Sequence, residues 1–326
     1  VATTDITQFL ASKIANHIFG DDTMAKFTTL ALALLKSKPA NNITGDLTSI
    51  ELPNILNYSR QTLNPGDANW DEAGNVPAII FGPAANPGWE NAIAVGITDN
   101  ATHGAGNLLF SFQHLSPGVL NPKMSGESLK SSETLRIEFR GIVFKTGGGF
   151  VGAVFLPFVI APQHNSLYLH GQLINHIFRT ATFAKPTELA VALCKKFIFF
   201  EDTVATMEEV ANSNNYARAP LNPGTANWDI TTDIITHHVE YFGPIFPGRF
   251  RGEDVEVVTV LNKKDIVFNN PTGLWGQIRS VAIVDSATHG AGNILFFKHL
   301  PPTSVLGIAN GDVCKIDKNN LKINII

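Results

Sequence analysis

The chain has 326 residues and a net charge of −4, from 24 basic and 28 acidic side chains. Hydrophobic residues make up 44 % and charged residues 16 %, so it folds around sizeable cores, and its length suits about two domains. Such weak acidity attracts neither nucleic acid nor anionic membrane, the most apolar run (residues 150–161) falls short of the roughly 20 residues a spanning helix needs, and residues 1–5 show no leader-like pattern.

In chain order, Phe9, Leu10, Ile14 and Ile18 fall at helical spacing, with Gly20 as the stop. Residues 27–35 are apolar and read as extended, although their Ala and Leu content also suits a helix. Residues 78–81, 92–97, 107–112 and 135–139 are strand candidates, punctuated by Gly, Pro, Asn and Asp. In the last of these, Leu135, Ile137 and Phe139 alternate with charged residues, so one face meets water. Three glycines at 147–149 then lead into residues 150–156, a run too apolar for a free linker and therefore expected to be buried. Beyond it the helical spacing returns with Leu173, Ile174, Ile177 and Phe178.

That return belongs to an internal repeat. Ala101-Thr102-His103-Gly104-Ala105-Gly106-Asn107 recurs residue for residue as Ala287-Thr288-His289-Gly290-Ala291-Gly292-Asn293, at an offset of 186. Asn16-His17-Ile18 recurs as Asn175-His176-Ile177 at 159. Tyr58-x-Arg60 matches Tyr216-x-Arg218, Leu63-Asn64-Pro65-Gly66 matches Leu221-Asn222-Pro223-Gly224, and Ala68-Asn69-Trp70 matches Ala226-Asn227-Trp228, all at 158. Phe81-Gly82-Pro83 pairs with Phe242-Gly243-Pro244 at 161, and His114-Leu115 with His299-Leu300 at 185. The order never changes, so the chain is a tandem duplication. The expected organisation is a first repeat domain over 1–140, an apolar connector over 141–170 and a second repeat domain over 171–326. The expected fold is mainly β: two β-sandwich-like domains, each preceded by a short α-helix.

Between Pro244 and Trp275 the offset grows from 161 to 186, which gives the second repeat 25 additional residues. Residues 255–261 and 266–268 are β-branched runs around Asn262-Lys263-Lys264-Asp265, so an inserted β-hairpin near 245–270 is expected. It reads either as an elaborated surface loop or as a contact arm. In the second case Arg249, Arg251, Lys263, Lys264 and Asp265 are the candidate contact residues.

Few residues suggest chemistry. A Gly-rich loop cradles phosphate where a strand meets a helix, but the repeated heptapeptide runs into the strand-like Leu108-Leu109-Phe110 with no Lys-Ser/Thr pair. It reads as a turn whose glycines supply positive φ, preceded by Asp99 or Asp285. Six of the ten histidines are repeat-matched without ligand spacing, and His237-His238-x-Glu240 sets adjacent imidazoles on opposite strand faces. No metal and no cofactor are therefore expected. All four tryptophans are matched, Trp70 with Trp228 and Trp89 with Trp275, which favours core anchors bonded through their N–H groups. If one pair is exposed as a glycan-stacking surface, it is Trp70 and Trp228, beside their Pro-Gly turns. Cys194 and Cys314 align with Leu35 and Leu129 and read as small buried hydrophobes. Neither a nucleophile signature nor a carboxylate pair is assembled, so no catalytic residue is assigned and the chain is expected not to be an enzyme.

With Leu32-Ala33-Leu34, Tyr58-Ser59-Arg60, Trp89, Gly96-Ile97-Thr98-Asp99 and Gly106-Asn107-Leu108-Leu109, the first repeat resembles a family of tailed-phage virion proteins labelled tail-fibre or head-decoration proteins. The second repeat is similar through residues 189–193, Tyr216-Ala217-Arg218, Trp275-Gly276, residues 281–285 and Gly292-Asn293-Ile294-Leu295, with Ala282 in place of the glycine. Two such units in one chain depart from the usual single domain. The resemblance implies a virion component without enzymatic residues. One expectation is a capsid decoration (cement) protein on the outer surface of the head, bridging capsomers through the major capsid protein or other virion proteins, with a homo-oligomer open. The alternative is a tail-fibre adhesion protein that binds host surface glycans.

Overall fold

Each repeat opens on a helix whose first turn is capped by a hydroxyl. Thr7 accepts from the Leu10 N–H at 3.4 Å ahead of α1 (Gln8–Ile18), and Ser166 accepts from the Leu169 N–H at 3.1 Å ahead of α2 (Leu167–Phe178). The computed structural model describes residues 3–37, 39–40, 43, 45–70, 79–89, 92–113, 129–130, 135–138, 150–153, 165–240, 250–300 and 306–325. Around α1 the first repeat places β1 (Thr3–Ile6), β2 (Ala31–Leu35), β3 (Gln61–Thr62), β4 (Ile79–Phe81) and β5 (Gly88–Trp89). It continues with β6 (Ala94–Thr98), β7 (Leu108–Gln113), β8 (Leu129–Lys130), β9 (Leu135–Glu138) and β10 (Phe150–Ala153). After α2 come β11 (Ala190–Cys194), β12 (Ala219–Pro220), β13 (Trp228–Glu240), β14 (Phe250–Asn262) and β15 (Ile266–Val267). The chain then forms β16 (Gly276–Ile278), β17 (Ser280–Val284), β18 (Ile294–His299), β19 (Leu306–Ile308), β20 (Lys315–Ile316) and β21 (Lys322–Ile325). The fold is mainly β, as the sequence implies. Residues 141–149 and 154–164 of the expected connector, with its proposed burial, lie outside the described residues, and α2 begins at Leu167.

The two repeats build the same antiparallel sheet. Its order is β1-β7-β6-β2-β3 in the first and β12-β11-β17-β18 in the second, so β7, β6, β2 and β3 correspond to β18, β17, β11 and β12. A register shift recurs at one place in both, between Ile97 and Thr98 and between Ile283 and Val284. Ile6 lies opposite Phe110, and Asn165 makes the matching bridge to Phe296. All five residues of β2 are buried because both faces are covered: Leu32 and Leu34 enter the main core, while Ala33 and Leu35 enter a smaller cluster with Leu47, Ile50 and Leu108. A strand covered on both faces loses the alternation that distinguishes it from a helix, hence the ambiguity of residues 27–35 in sequence.

The expected insertion exists, but its pairing is different. Residues 255–261 do not pair with 266–268: β14 pairs along its whole length with β13, from Trp228↔Asn262 to Glu240↔Phe250, while Ile266 and Val267 pair with Ile316 and Lys315. The hairpin therefore spans 228–262 instead of 245–270. The sheet register explains why. Ile79 lies opposite Ile137 in the first repeat, and Val260 lies opposite Ile323, the counterpart of Ile137, in the second. Val260 thus occupies the place of Ile79, 32 residues beyond Trp228 where Ile79 is 9 beyond Trp70 (260 − 228 against 79 − 70). The Phe-Gly-Pro match drew the insertion toward the wrong side of β14, and its second copy, residues 242–244, lies outside the described residues. A second correction concerns histidine: Gln113 lies opposite Ala94 and His299 opposite Ser280, so His299 corresponds to Gln113 and not to His114.

At 3.3 Å per residue, strands of 13 residues make a ribbon of about 40 Å. Its base is held by β21, which pairs with Val258 to Leu261, and by Val258 and Val260 in the main core. From the Ile234↔Glu256 pair outward, the two strands pair only with each other among the described residues. Replacing residues 234–256 with a two-residue turn should leave the thermal midpoint within about 3 °C of the parent, since an extension absent from one repeat adds little to the body. A fall of more than about 10 °C would show that the ribbon supports the fold.

Candidate interaction surfaces

The repeated Tyr-x-Arg and Gly-rich motifs meet in one buried cluster per repeat. Arg60 donates through Nε and Nη2 to the two Glu51 carboxylate oxygens at 2.9 and 2.7 Å, and both side chains are fully buried. The Tyr58 hydroxyl donates to the same carboxylate at 2.9 Å, and the Gly104 N–H does so at 2.9 Å. Arg60 Nη1 reaches the carbonyls of Asn100 and Ala105 at 2.7 and 2.8 Å, so the guanidinium closes the Gly-rich turn. In the second repeat Glu209, Tyr216 and Arg218 repeat the arrangement, with Arg218 Nη1 at 2.8 Å from the carbonyls of both Ser286 and Ala291. Burial works to raise the Glu51 pKa, but hydrogen bonds from Arg60, Gly104 and Tyr58 outweigh it and hold the carboxyl below its ordinary value. Burial, with Glu51 beside it, pushes the Tyr58 phenol upward, and burial with Glu209 does the same for Tyr216.

The turn itself is tied by its aspartate. Asp99 accepts from Asn107 N and Nδ2 at 2.6 and 2.8 Å, and Asp285 from Asn293 N and Nδ2 at 2.5 and 3.0 Å. Gly106 and Gly292 both sit at φ +78°, where a Cβ would come within 2.5 Å of that carboxylate. His103 Nε2 donates to the Leu52 carbonyl at 2.8 Å and His289 Nε2 to Val210 at 2.9 Å. The Thr102, Gly104, Ala105 and Asn107 N–H groups are already bonded to Asn100, Glu51, Thr102 and Asp99, which suits a strand-to-strand turn.

The tryptophans correct one expectation. Trp70 and Trp228, proposed as an exposed glycan-stacking pair, are 2 % and 1 % exposed. Their indole N–H groups donate to Leu63 and Leu221 carbonyls at 3.2 and 3.1 Å, while those of Trp89 and Trp275 donate to Leu56 and Asn214. Trp70 and Trp228 are buried because each carries a phenylalanine from the other repeat. Phe178 packs on Trp70 and Phe110 (ring centroids 4.6 and 5.5 Å), and Phe19 packs on Trp228 and Phe296 (4.8 and 5.3 Å). The backbone follows the same reciprocity: Gly66 N–H donates to Phe178 O at 2.9 Å, and Gly224 N–H donates to Phe19 O at 2.7 Å. The repeats thus meet as an isologous pair within one chain.

His17 and His176 stack at the centre of this contact, 5.6 Å apart. Met24 N–H donates to His17 Nδ1 and Phe183 N–H to His176 Nδ1, both at 3.1 Å, so the ring proton resides on Nε2. His176 Nε2–H donates to the Met24 carbonyl of the first repeat at 3.1 Å. At the rim, Thr180 N and Oγ1 donate to Asp67 at 3.2 and 2.6 Å, and Thr225 N and Oγ1 to Asp21 at 3.4 and 2.8 Å.

Three candidate contact residues of the insertion are tied to their own chain. Lys263 Nζ donates to Thr225 O at 3.0 Å, Lys264 Nζ to Asn227 Oδ1 at 3.1 Å, and Asp265 accepts from the Lys318 N–H at 2.8 Å. They fix the foot of the ribbon. Arg249 and the side chains of Arg251, His237, His238 and Glu240 lie outside the described residues. Cys194 and Cys314 are buried and unpaired; burial raises both thiol pKa values, that of Cys314 to about 11. Among the described residues no group of three His, Cys, Asp or Glu could hold a metal ion, and no helix is long and apolar enough to cross a membrane. A groove of about 340 Å³ follows α1, lined by Gln8, Phe9, Ser12, Lys13, Asn16 and Asp22 among others. Sequence reasoning missed both this groove and the interface, although the Phe19/Phe178 match at the shared 159 offset was visible.

Two β-rich repeats, joined face to face, with their matched residues used for internal bonds, define a duplicated structural protein. The chain matches the protein family described as Podophage GP4 fiber I protein gp80 twice, over residues 5–123 and 164–324. It belongs to that family: it is a phage fibre-type structural protein in tandem duplicate, a component of the virion. No curated protein matches it.

Two outcomes test these assignments. Replacing Arg60 with methionine should lower the unfolding free energy by about 3–5 kcal/mol in a urea titration, because it leaves Glu51 buried without its cation; a loss below about 1 kcal/mol contradicts the buried pair. Acid should weaken the repeat contact. Burial first, then the neighbouring His176, lowers the His17 pKa to about 4, and burial lowers that of His176 too. Above the ordinary histidine value near 6.5 both rings are neutral in folded and unfolded chains, so stability there is full. Below it the unfolded chain takes up protons first, so the thermal midpoint should fall as pH drops from about 6.5 toward 4; a midpoint that rises over that range contradicts the assignment.

Proposed function

We propose that the chain is a non-enzymatic fibre component: the fused repeats form a rigid body, and the ribbon at 228–262 is the arm that docks on another virion protein. The observation that carries this reading is the asymmetry between the repeats. Residues present in both are bound up in shape, whereas the ribbon stands on one repeat and continues beyond the sheet that anchors it. An isolated two-stranded ribbon is marginally stable in water, and a partner supplies the missing layer. The family description supports a fibre at least as well as a head-decoration protein. Quantitative mass spectrometry of purified particles separates the two. A handful of copies per virion, and particles that lose the protein when the ribbon is excised, fit the fibre. Hundreds of copies fit a cement protein bracing capsomers and overturn this reading.

A glycan-binding role moves from the tryptophans to the groove along α1. Phe9 lies under Lys13 Nζ at 5.7 Å, beside Asp22 and the Asn16 amide, and an aromatic ring edged by polar groups suits a sugar. The second repeat has Leu167, Tyr168, Gln172 and Ala181 at the corresponding positions, so the charged pair of the groove, Lys13 and Asp22, is confined to the first. Saturable binding to host envelope polysaccharide, abolished by Asp22→Ala with Lys13→Ala, supports adhesion; binding unchanged by that pair removes it.

A further inference from the structure

We propose that the face joining the repeats is a selective docking surface, which pairs a first repeat with a second repeat in preference to pairing either with its own kind. The phenylalanine seats cannot choose. Phe19 and Phe178 enter equivalent seats, Trp228 with Phe296 and Trp70 with Phe110, so these two rings do not distinguish the repeats. The rim does choose. Asp21 corresponds to Thr180 at the 159 offset, and Asp67 to Thr225 at 158. Each rim contact therefore holds one carboxylate and one threonine, with the roles exchanged between the two ends. Asp67 also faces Arg179 Nε at 3.2 Å, where the first repeat has Gly20.

Like pairs lose this match. Two first repeats would set Asp21 against Asp67 at both ends, four carboxylates with no hydroxyl between them and with Lys26, the counterpart of the Lys185 that acts on Asp21, as the nearby cation. Two second repeats would set Thr180 against Thr225, leaving Arg179 without a carboxylate. Asp21 and Asp67 are both exposed, and an exposed aspartate is charged at neutral pH, so in a like pair each repels its like. Shared apolar seats supply affinity, and the exchanged rim supplies discrimination by penalising the wrong pair. The partner that fits a first-repeat face is thus a second-repeat face, whether on the same chain or on a neighbour held close in the virion.

The test uses the full chain with a site-specific protease sequence inserted after Gly147, folded before it is cut. The cut protein is diluted, reconcentrated and read by native mass spectrometry, which separates the mixed pair from the two like pairs by mass. The mixed pair should exceed the first-repeat pair by about tenfold, the effect of two exposed charge contacts. Asp21→Thr, and independently Asp67→Thr, give the first-repeat pair the threonine–carboxylate contact it lacks, and each should raise that pair about tenfold. The proposal is overturned if the fragments do not re-associate, if the three pairs form statistically, or if both variants leave the distribution unchanged.

Discussion

A phenylalanine at the end of each helix completes the core of the repeat it does not belong to. Phe19 and Phe178 are 0 % and 2 % exposed, and each packs on a tryptophan of the other repeat. Burying each stabilises the contact by about 1.5–3 kcal/mol, and each anchors a helix too short to persist unaided. The helices have 11 and 12 residues, so their order depends on what they pack against. One side of α1 rests on its own sheet and another on β13 and β14 of the other repeat, where Gln8 donates to Thr232. Helix, sheet and partner repeat are consequently a single packing problem.

The second constraint is polar. Burying Glu51 with Arg60, and Glu209 with Arg218, gains little net stability over apolar residues of like shape, but it demands one geometry. The guanidinium must reach the Gly-rich turn, the carboxylate must take the tyrosine hydroxyl, and the Gly106 and Gly292 backbones must stay at positive φ beside Asp99 and Asp285. A cluster with these joint requirements specifies how the loops close over the sheet. It explains why motifs that look like ligand loops serve shape here.

Much of this is legible in the sequence. Short identities with stepwise offsets located both repeats, and the strands at 79–81, 94–98, 108–113 and 135–138 followed from runs bounded by turn residues. What sequence could not supply was long-range pairing. The place of Ile79 is taken by Val260, a residue with no resemblance in its surroundings, and only the register against Ile137 and Ile323 reveals it. The chance echo of Phe-Gly-Pro misplaced the ribbon for the same reason. Trp70 and Trp228 look exposed beside Pro-Gly turns because the ring that covers each lies in the other repeat, more than 100 residues away. Burial across a pseudo-two-fold axis leaves no local periodicity to read.

A virion component must hold its shape under load, and a fused pair does so without relying on the concentration of a partner. The claim that the two repeats behave as one body is tested most directly by amide hydrogen exchange on the intact chain. The Gly66 and Gly224 N–H groups lie in turns and donate only across the contact, to Phe178 and Phe19. If the contact is as stable as the cores it joins, these two amides should exchange as slowly as those of β6 and β17. Exchange at loop rates, with the central strands still protected, would mean that the repeats part while each stays folded, and would contradict the account.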